Sequence, residues 1–231
     1  MNDINLMLEL QHFWKQVMAD EAEINRSKKS ISTWENHLKS DKDNLQKKES
    51  EYKSLQKKLK EKEAALADIE SRLKKTEERK DFLKSTREIE TNESEIIRLE
   101  NEKDLIEHEV LELMEKSEAF ESEVNLLREK FEESAKQTVL DIASLNSKIE
   151  KLNDEILKNK NNFNELSENL SPKVKSRFLK LIESKDGIAI ARLNGEICSH
   201  CNFQIPSFIA TSVLKNASVE ICTNCGRFIY N

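Results

Sequence analysis

Four cysteines in two pairs, Cys198-Ser-His-Cys201 and Cys222-Thr-Asn-Cys225-Gly226, are the residues whose spacing points to chemistry. Two residues between paired thiols let both sulfurs converge from a tight turn on one tetrahedral cation. The interval of twenty residues between the pairs suits a four-cysteine zinc site. Four thiolates leave no open coordination position, so the expected role is one structural zinc ion rather than a catalytic one. Two disulfides or a redox pair are the competing readings. The first needs an oxidising compartment, and the second a βαβ setting that surrounds neither pair. His200 lies between two of the cysteines but fits neither spacing better than they do, and it reads as an exposed histidine.

Other chemistry is hard to find. His12, His37 and His108 fall outside the apolar rows described below and read as solvated. No Ser/His/Asp set or phosphate-binding loop stands out, and among 44 acidic residues a carboxylate pair arises by accident. The expectation is a protein that is not an enzyme, with no catalytic residues.

The elements that must position the cysteines follow from composition and period. The 231 residues include three glycines and two prolines, where average usage would give roughly 16 and 12. The first proline is Pro172 and the first glycine Gly187, so residues 1–171 lack both helix breakers. Starting at Leu10, every seventh residue is apolar through Val17, Ile24, Ile31, Leu38, Leu45, Tyr52, Leu59 and Leu66 to Leu73. The companion row, Leu6, Phe13, Asp20, Ser27, Trp34 and onward to Leu83, is half polar. This is a coiled-coil pattern with one imperfect row. It resumes with Leu99, Ile106, Leu113, Phe120 and Leu127, passes a stutter through Phe131, Ala135 and Thr138, and continues as Ile142, Ile149, Ile156, Phe163 and Leu170.

Between Thr76 and Thr91 the apolar row lapses at Lys80 and resumes displaced at Phe82 and Leu83, and Ser85 with Glu88 can form a capping box at a new helix start. Two arms of nearly equal length then cover each other's seams, so an antiparallel hairpin over residues 1–170 is preferred to a parallel dimer of unbroken helices. A turn near residue 85 would set Trp34 opposite Ala135. The apolar N-terminal stretch Leu6, Leu8, Leu10, Phe13, Trp14, Val17 and Met18 exceeds what one seam needs, and it is expected to pack on something further along the chain.

Residues 171–231 are a different object. They carry 8 basic and 4 acidic residues, a charge of +4, while residues 1–170 carry 30 and 40, a charge of −10. Ser171-Pro172 reads as an N-cap with proline at the first helical position, and Val174, Phe178, Leu181 and Ile182 give the helix one apolar face through Ser184. Ile188 to Leu193, Asn194-Gly195 and Glu196-Ile197 read as a β-hairpin with a type I′ turn that leads into Cys198. Zinc would supply the folding energy that a module with so few core side chains lacks. The fold class expected is thus mainly α, a long helical hairpin followed by a small β-containing C4 zinc ribbon. With no basic n-region at the start and no long apolar run, the expected setting is the cytoplasm without membrane insertion.

These features together form a pattern: the helical hairpin with Lys84-Ser-Thr-Arg-Glu-Ile-Glu at its turn, the Ser-Pro helix with Arg177-Phe178, the Gly-Ile-Ala-Ile strand, the first CxxC, and the terminal Cys-x-x-Cys-Gly-Arg-Phe-Ile-Tyr. The pattern resembles the bacterial coiled-coil and C4 zinc-ribbon family of flagellar regulators, with a chlamydial member linked to type III secretion. The resemblance implies a non-enzymatic adaptor. Family members bind sigma-54 or flagellar and type III secretion components, and one branch binds a messenger RNA. It assigns Cys198, Cys201, Cys222 and Cys225 to zinc and assigns no partner surface.

Two functional classes follow. The chain is a protein-binding regulator, or its basic C-terminal part, with Lys173, Lys175, Arg177, Lys180, Lys185, Arg192, Lys215 and Arg227, binds RNA. A charge of +4 over 61 residues is modest for nucleic-acid binding, which favours protein partners. A further candidate surface is the hairpin tip, since Arg72 to Arg87 holds seven basic residues against three acidic ones.

Overall fold

The computed structural model describes residues 2–216 and 219–231, the side chains of Lys215 and Asn216 excepted. Two long helices, α1 (Asp3–Lys80) and α2 (Thr86–Ser167), pack against each other and are followed by a short helix α3 (Pro172–Ser184). The remainder alternates β1 (Ile190–Asn194), β2 (Ile197–Cys198), α4 (Ser207–Asn216), β3 (Glu220–Ile221) and β4 (Phe228–Tyr230). The chain divides into two compact units, Thr33–Leu140 on one hand and Met1–Ser32 with Asp141–Asn231 on the other. Among the described residues no helix is long and apolar enough to cross a membrane.

In the unit Thr33–Leu140 the chain reverses within the expected window. Phe82 and Leu83 donate to the carbonyls of Arg79 and Lys80 as α1 ends. The capping box then starts α2: Ser85 N–H donates to Glu88 Oε2 at 3.2 Å, and Glu88 N–H to Ser85 Oγ at 3.3 Å. Helix propensity alone would carry the chain straight on, so two reciprocal bonds that satisfy orphan N–H groups matter at this point. Ion pairs across the seam set the register, with Lys48 on Glu123, Lys62 on Glu109 and Lys80 on Glu93. Leu45, Ile69, Leu99, Val110 and Val124 are buried along it. Asn92 and Ser117 are buried too, and Asn92 Nδ2 donates to the carbonyl of Thr76 at 3.2 Å. A polar side chain that finds its partner in one alignment penalises slipped ones.

At the tip, part of the basic window Arg72 to Arg87 is countered by the returning helix. The turn lies at residues 81–85, so that window covers far more of the outgoing arm than of the returning one. Returning α2 carries Glu88, Glu90, Glu93 and Glu95, of which Glu93 pairs with Lys80 at 2.9 Å and Glu88 caps the start of its own helix.

In the other unit Val17 and Ile24 of α1 pack with Ile149 and Ile156 of α2, and Lys148 and Lys160 pair with Glu23 and Glu21. The apolar N-terminus finds the expected cover. Leu6, Met7 and Leu10 join Phe163, Leu170, Phe178, Leu181, Ile182, Ala189, Ile190 and Phe228 in one core, with Trp14 tilted on Phe163 at 5.2 Å between ring centres. Ser171 precedes Pro172 as expected, but its hydroxyl donates to Asp3 Oδ2 at 2.7 Å and its N–H to Asp3 Oδ1 at 3.1 Å, rather than the hydroxyl capping its own helix. At Gly187, whose φ is +71°, a Cβ would lie 2.7 Å from Met18 Sδ, so only glycine brings this turn so close to α1.

The strands form one sheet in the order β2-β1-β4-β3, with β1 and β4 parallel and the other neighbours antiparallel. Ile190 pairs with Phe228 and Ala191 with Ile229. Because strand side chains alternate, Ile190 and Phe228 face the helical core while Ala191, Leu193 and Ile229 face a second core that contains Cys198 and Cys222. The β1–β2 turn is centred on Gly195-Glu196, one residue later than the sequence reading placed it. Gly195 has φ +61° whereas Glu196 is not left-handed, which is the II′ pattern with glycine first rather than type I′.

Candidate metal centre

Each cysteine pair closes a knuckle of the same design. In the first, Cys198 N–H donates to the carbonyl of Phe203 at 3.0 Å and Asn202 N–H to that of Cys198 at 2.9 Å. In the second, Cys222 N–H donates to Arg227 at 2.9 Å and Gly226 N–H to Cys222 at 2.9 Å. The residue after each second cysteine is left-handed, Asn202 with φ +55° and Gly226 with φ +72°. Asparagine is the side chain that best tolerates the conformation for which glycine is otherwise used. The first knuckle follows β2, and the second is the turn of the β3–β4 hairpin.

The knuckles bring all four Sγ atoms within 4.8 Å of one another, and Cys201 Sγ lies 3.7 Å from Cys222 Sγ. Four sulfurs around a tetrahedral metal with bonds of about 2.3 Å stand roughly 3.8 Å apart, so the donor set fits such an ion. All four cysteines are free. Cys198 and Cys222 are buried and Cys201 and Cys225 half-buried. Burial pushes the Cys222 thiol up to about 12 and raises Cys198 as well. Burial also opposes ionisation of Cys201, but hydrogen bonds from Phe203 N–H, the Asn224 side chain and the Cys222 and Cys198 thiols outweigh it and bring Cys201 down to about 6. Thiols held so close cannot all ionise without a cation between them. His200 is exposed as expected, and the partial desolvation of its ring, then the charge of Arg227, lower its imidazole from the ordinary value.

The structure adds residues that spacing alone could not supply. Helix α4 lies between the knuckles, and Ala210 and Val213 pack with Cys198 and Cys222 in the second core. Arg227, read from sequence as part of a basic surface, is 5% exposed and donates from Nε to the Ile188 carbonyl at 2.8 Å and from Nη2 to the Lys185 carbonyl at 3.2 Å. Arg177 donates to the Gly226 carbonyl at 3.0 Å, and Lys175 pairs with Glu168 at 2.8 Å. The side chain of Lys215 lies outside the described residues.

No protein-family model matches the chain, and no curated protein sequence does. Solved structures do match. CT398 from Chlamydia trachomatis is similar over 99% of this chain and 97% of that one, at 18% identity and a TM-score of 0.80. The chain shares that fold. The HP0958 protein from Helicobacter pylori is similar over 99% of this chain and 96% of that one (18% identity, TM-score 0.55), and a protein from Mycobacterium smegmatis over 96% and 97% (16%, TM-score 0.58). The architecture of paired long helices followed by a small strand region is therefore that of known bacterial proteins.

Proposed function

We propose that this chain is a non-enzymatic, zinc-binding coiled-coil adaptor that works in the cytoplasm by binding other proteins. The observation that carries the reading is the closed set of four thiols. Two knuckles supply a full tetrahedral complement, so a zinc ion held there is structural and offers no site to a substrate. The fate of the basic residues supports protein rather than RNA as the ligand. Arg227 is buried against backbone carbonyls and Lys175 is paired with Glu168, which thins the positive surface that RNA binding would require. The family resemblance makes sigma-54 and components of flagellar or type III secretion systems the first partners to test.

Two measurements decide it. Elemental analysis of protein purified without added metal is expected to give one zinc per chain; a value near zero with oxidised cysteines refutes the metal assignment. Calorimetric titration of the loaded protein with purified sigma-54 is expected to show saturable binding. No heat with sigma-54, together with recovery of the protein on a flagellin-type messenger RNA that nuclease abolishes, would replace the adaptor reading with the RNA one.

A further inference from the structure

Arg227 is the one arginine among the described buried residues, and its placement is hard to explain by the sheet alone. Its guanidinium reaches two carbonyls, those of Ile188 and Lys185, and among the described residues no carboxylate pairs with it. Carbonyl oxygens satisfy N–H donors but do not neutralise the charge, and an uncompensated buried cation is strongly unfavourable. The residue belongs to the second knuckle: it follows Cys225 by two positions, and its own carbonyl receives the Cys222 N–H at 2.9 Å. Four thiolates around one divalent ion carry a net charge of −2.

The two carbonyls also have a particular address. They lie in the segment from Lys185 to Ile190 that joins α3 to β1, and its other end is held by the buried Gln11 of α1. Gln11 Oε1 accepts the N–H groups of Ala189 at 2.7 Å and Ile190 at 2.9 Å, and its Nε2 donates to the Ile190 carbonyl at 3.1 Å. One short segment is thus gripped by α1 through Gln11 and by the cysteine knuckle through Arg227.

We propose that Arg227 is the counter-charge of the zinc tetrathiolate and a positioning residue that couples metal occupancy to the seating of the 185–190 segment on α1. This rests on the zinc reading of the cluster. With the dianionic centre formed, the guanidinium is compensated and holds the Ile188 and Lys185 carbonyls. Without it, the buried cation lacks a partner and the segment loosens, which exposes the amides that Gln11 receives.

The test compares parent, Arg227→Met and Arg227→Lys in the full-length protein. Zinc affinity is read by competition with a chromogenic chelator, amide exchange at Ala189 and Ile190 by hydrogen–deuterium exchange with and without zinc, and folding by far-ultraviolet circular dichroism. Arg227→Met should weaken zinc binding about tenfold or more, in the range of outer-shell partners of metal sites. Arg227→Lys keeps the charge but loses the planar fork, so its affinity should fall clearly less than that of Arg227→Met. In the parent, zinc removal should speed exchange at Ala189 and Ile190. Equal zinc affinity in all three proteins, equal losses in both variants, or exchange at these amides indifferent to zinc would each overturn the proposal while leaving the zinc site intact. Parent protein that binds no zinc overturns the zinc reading as well, so the two failures are told apart.

Discussion

At the scale of single residues, the polar groups in the interior show how far a local pattern goes. Asp20 interrupts the companion apolar row of α1, and burial, then repulsion from Glu155, raise its carboxyl above the ordinary value of 3.8. A raised carboxyl binds its proton more tightly in the folded state, so the charged form costs stability above that pKa and the cost fades as pH falls through it. Asp20→Asn should therefore stabilise the helices at pH 7. The gain should be held to about 0.5 kcal/mol because the group is mostly in water. Thermal unfolding followed by circular dichroism should show the variant ahead at pH 7, by about 1–2 °C, and level with the parent at pH 3. An advantage that persists at pH 3 would mean that something other than the charge is responsible. The cysteines are the opposite case, for their role was legible from identity and spacing, because a knuckle is a local object. The left-handed Asn202 was not, since asparagine adopts that conformation only where the surrounding hydrogen bonds demand it.

At the scale of elements, the long helices arise from a strict seven-residue period and the absence of glycine and proline, both properties of sequence windows. Where they stop is a finer matter. The reversal after Lys80 uses no glycine or proline, and it rests on the capping box of Ser85 and Glu88 and on Asn92 bonded back to Thr76. Ser85→Ala removes one cap bond and should cost about 1 kcal/mol. Because the loss is confined to the start of α2, it should appear as faster amide exchange at Glu88 and Ile89 with the zinc content unchanged; exchange there equal to the parent would show that the turn is held by other means. The capping box was readable because its partners are three residues apart. The partner of Lys80 was not, since Glu93 comes from the returning helix, and which residue returns beside it depends on where the turn falls.

At the scale of the molecule, the unit that carries the cysteines is built on two cores, one on each face of a four-stranded sheet. Phe178 of α3 is fully buried in the helical core beside Leu6, Met7 and Leu10. Phe178→Ala should cost about 3–5 kcal/mol, read as a lower unfolding midpoint of the loaded protein. Zinc binding itself should survive, because the cysteines sit in the other core; loss of zinc stoichiometry in the folded variant would contradict that division. The helical hairpin, the metal-ready knuckles, the apolar face of α3 and the unusual greed of the N-terminus for cover could all be read along the chain. Each depends on residues a few positions apart, where helix and turn geometry dictate who meets whom. The parallel pairing of β1 with β4, Asp3 on Ser171, and the grips of Gln11 and Arg227 on one segment could not. Those contacts join residues from a few tens to nearly 180 positions apart, and they form only where close packing of the two cores leaves a buried amide or carbonyl that must find its partner.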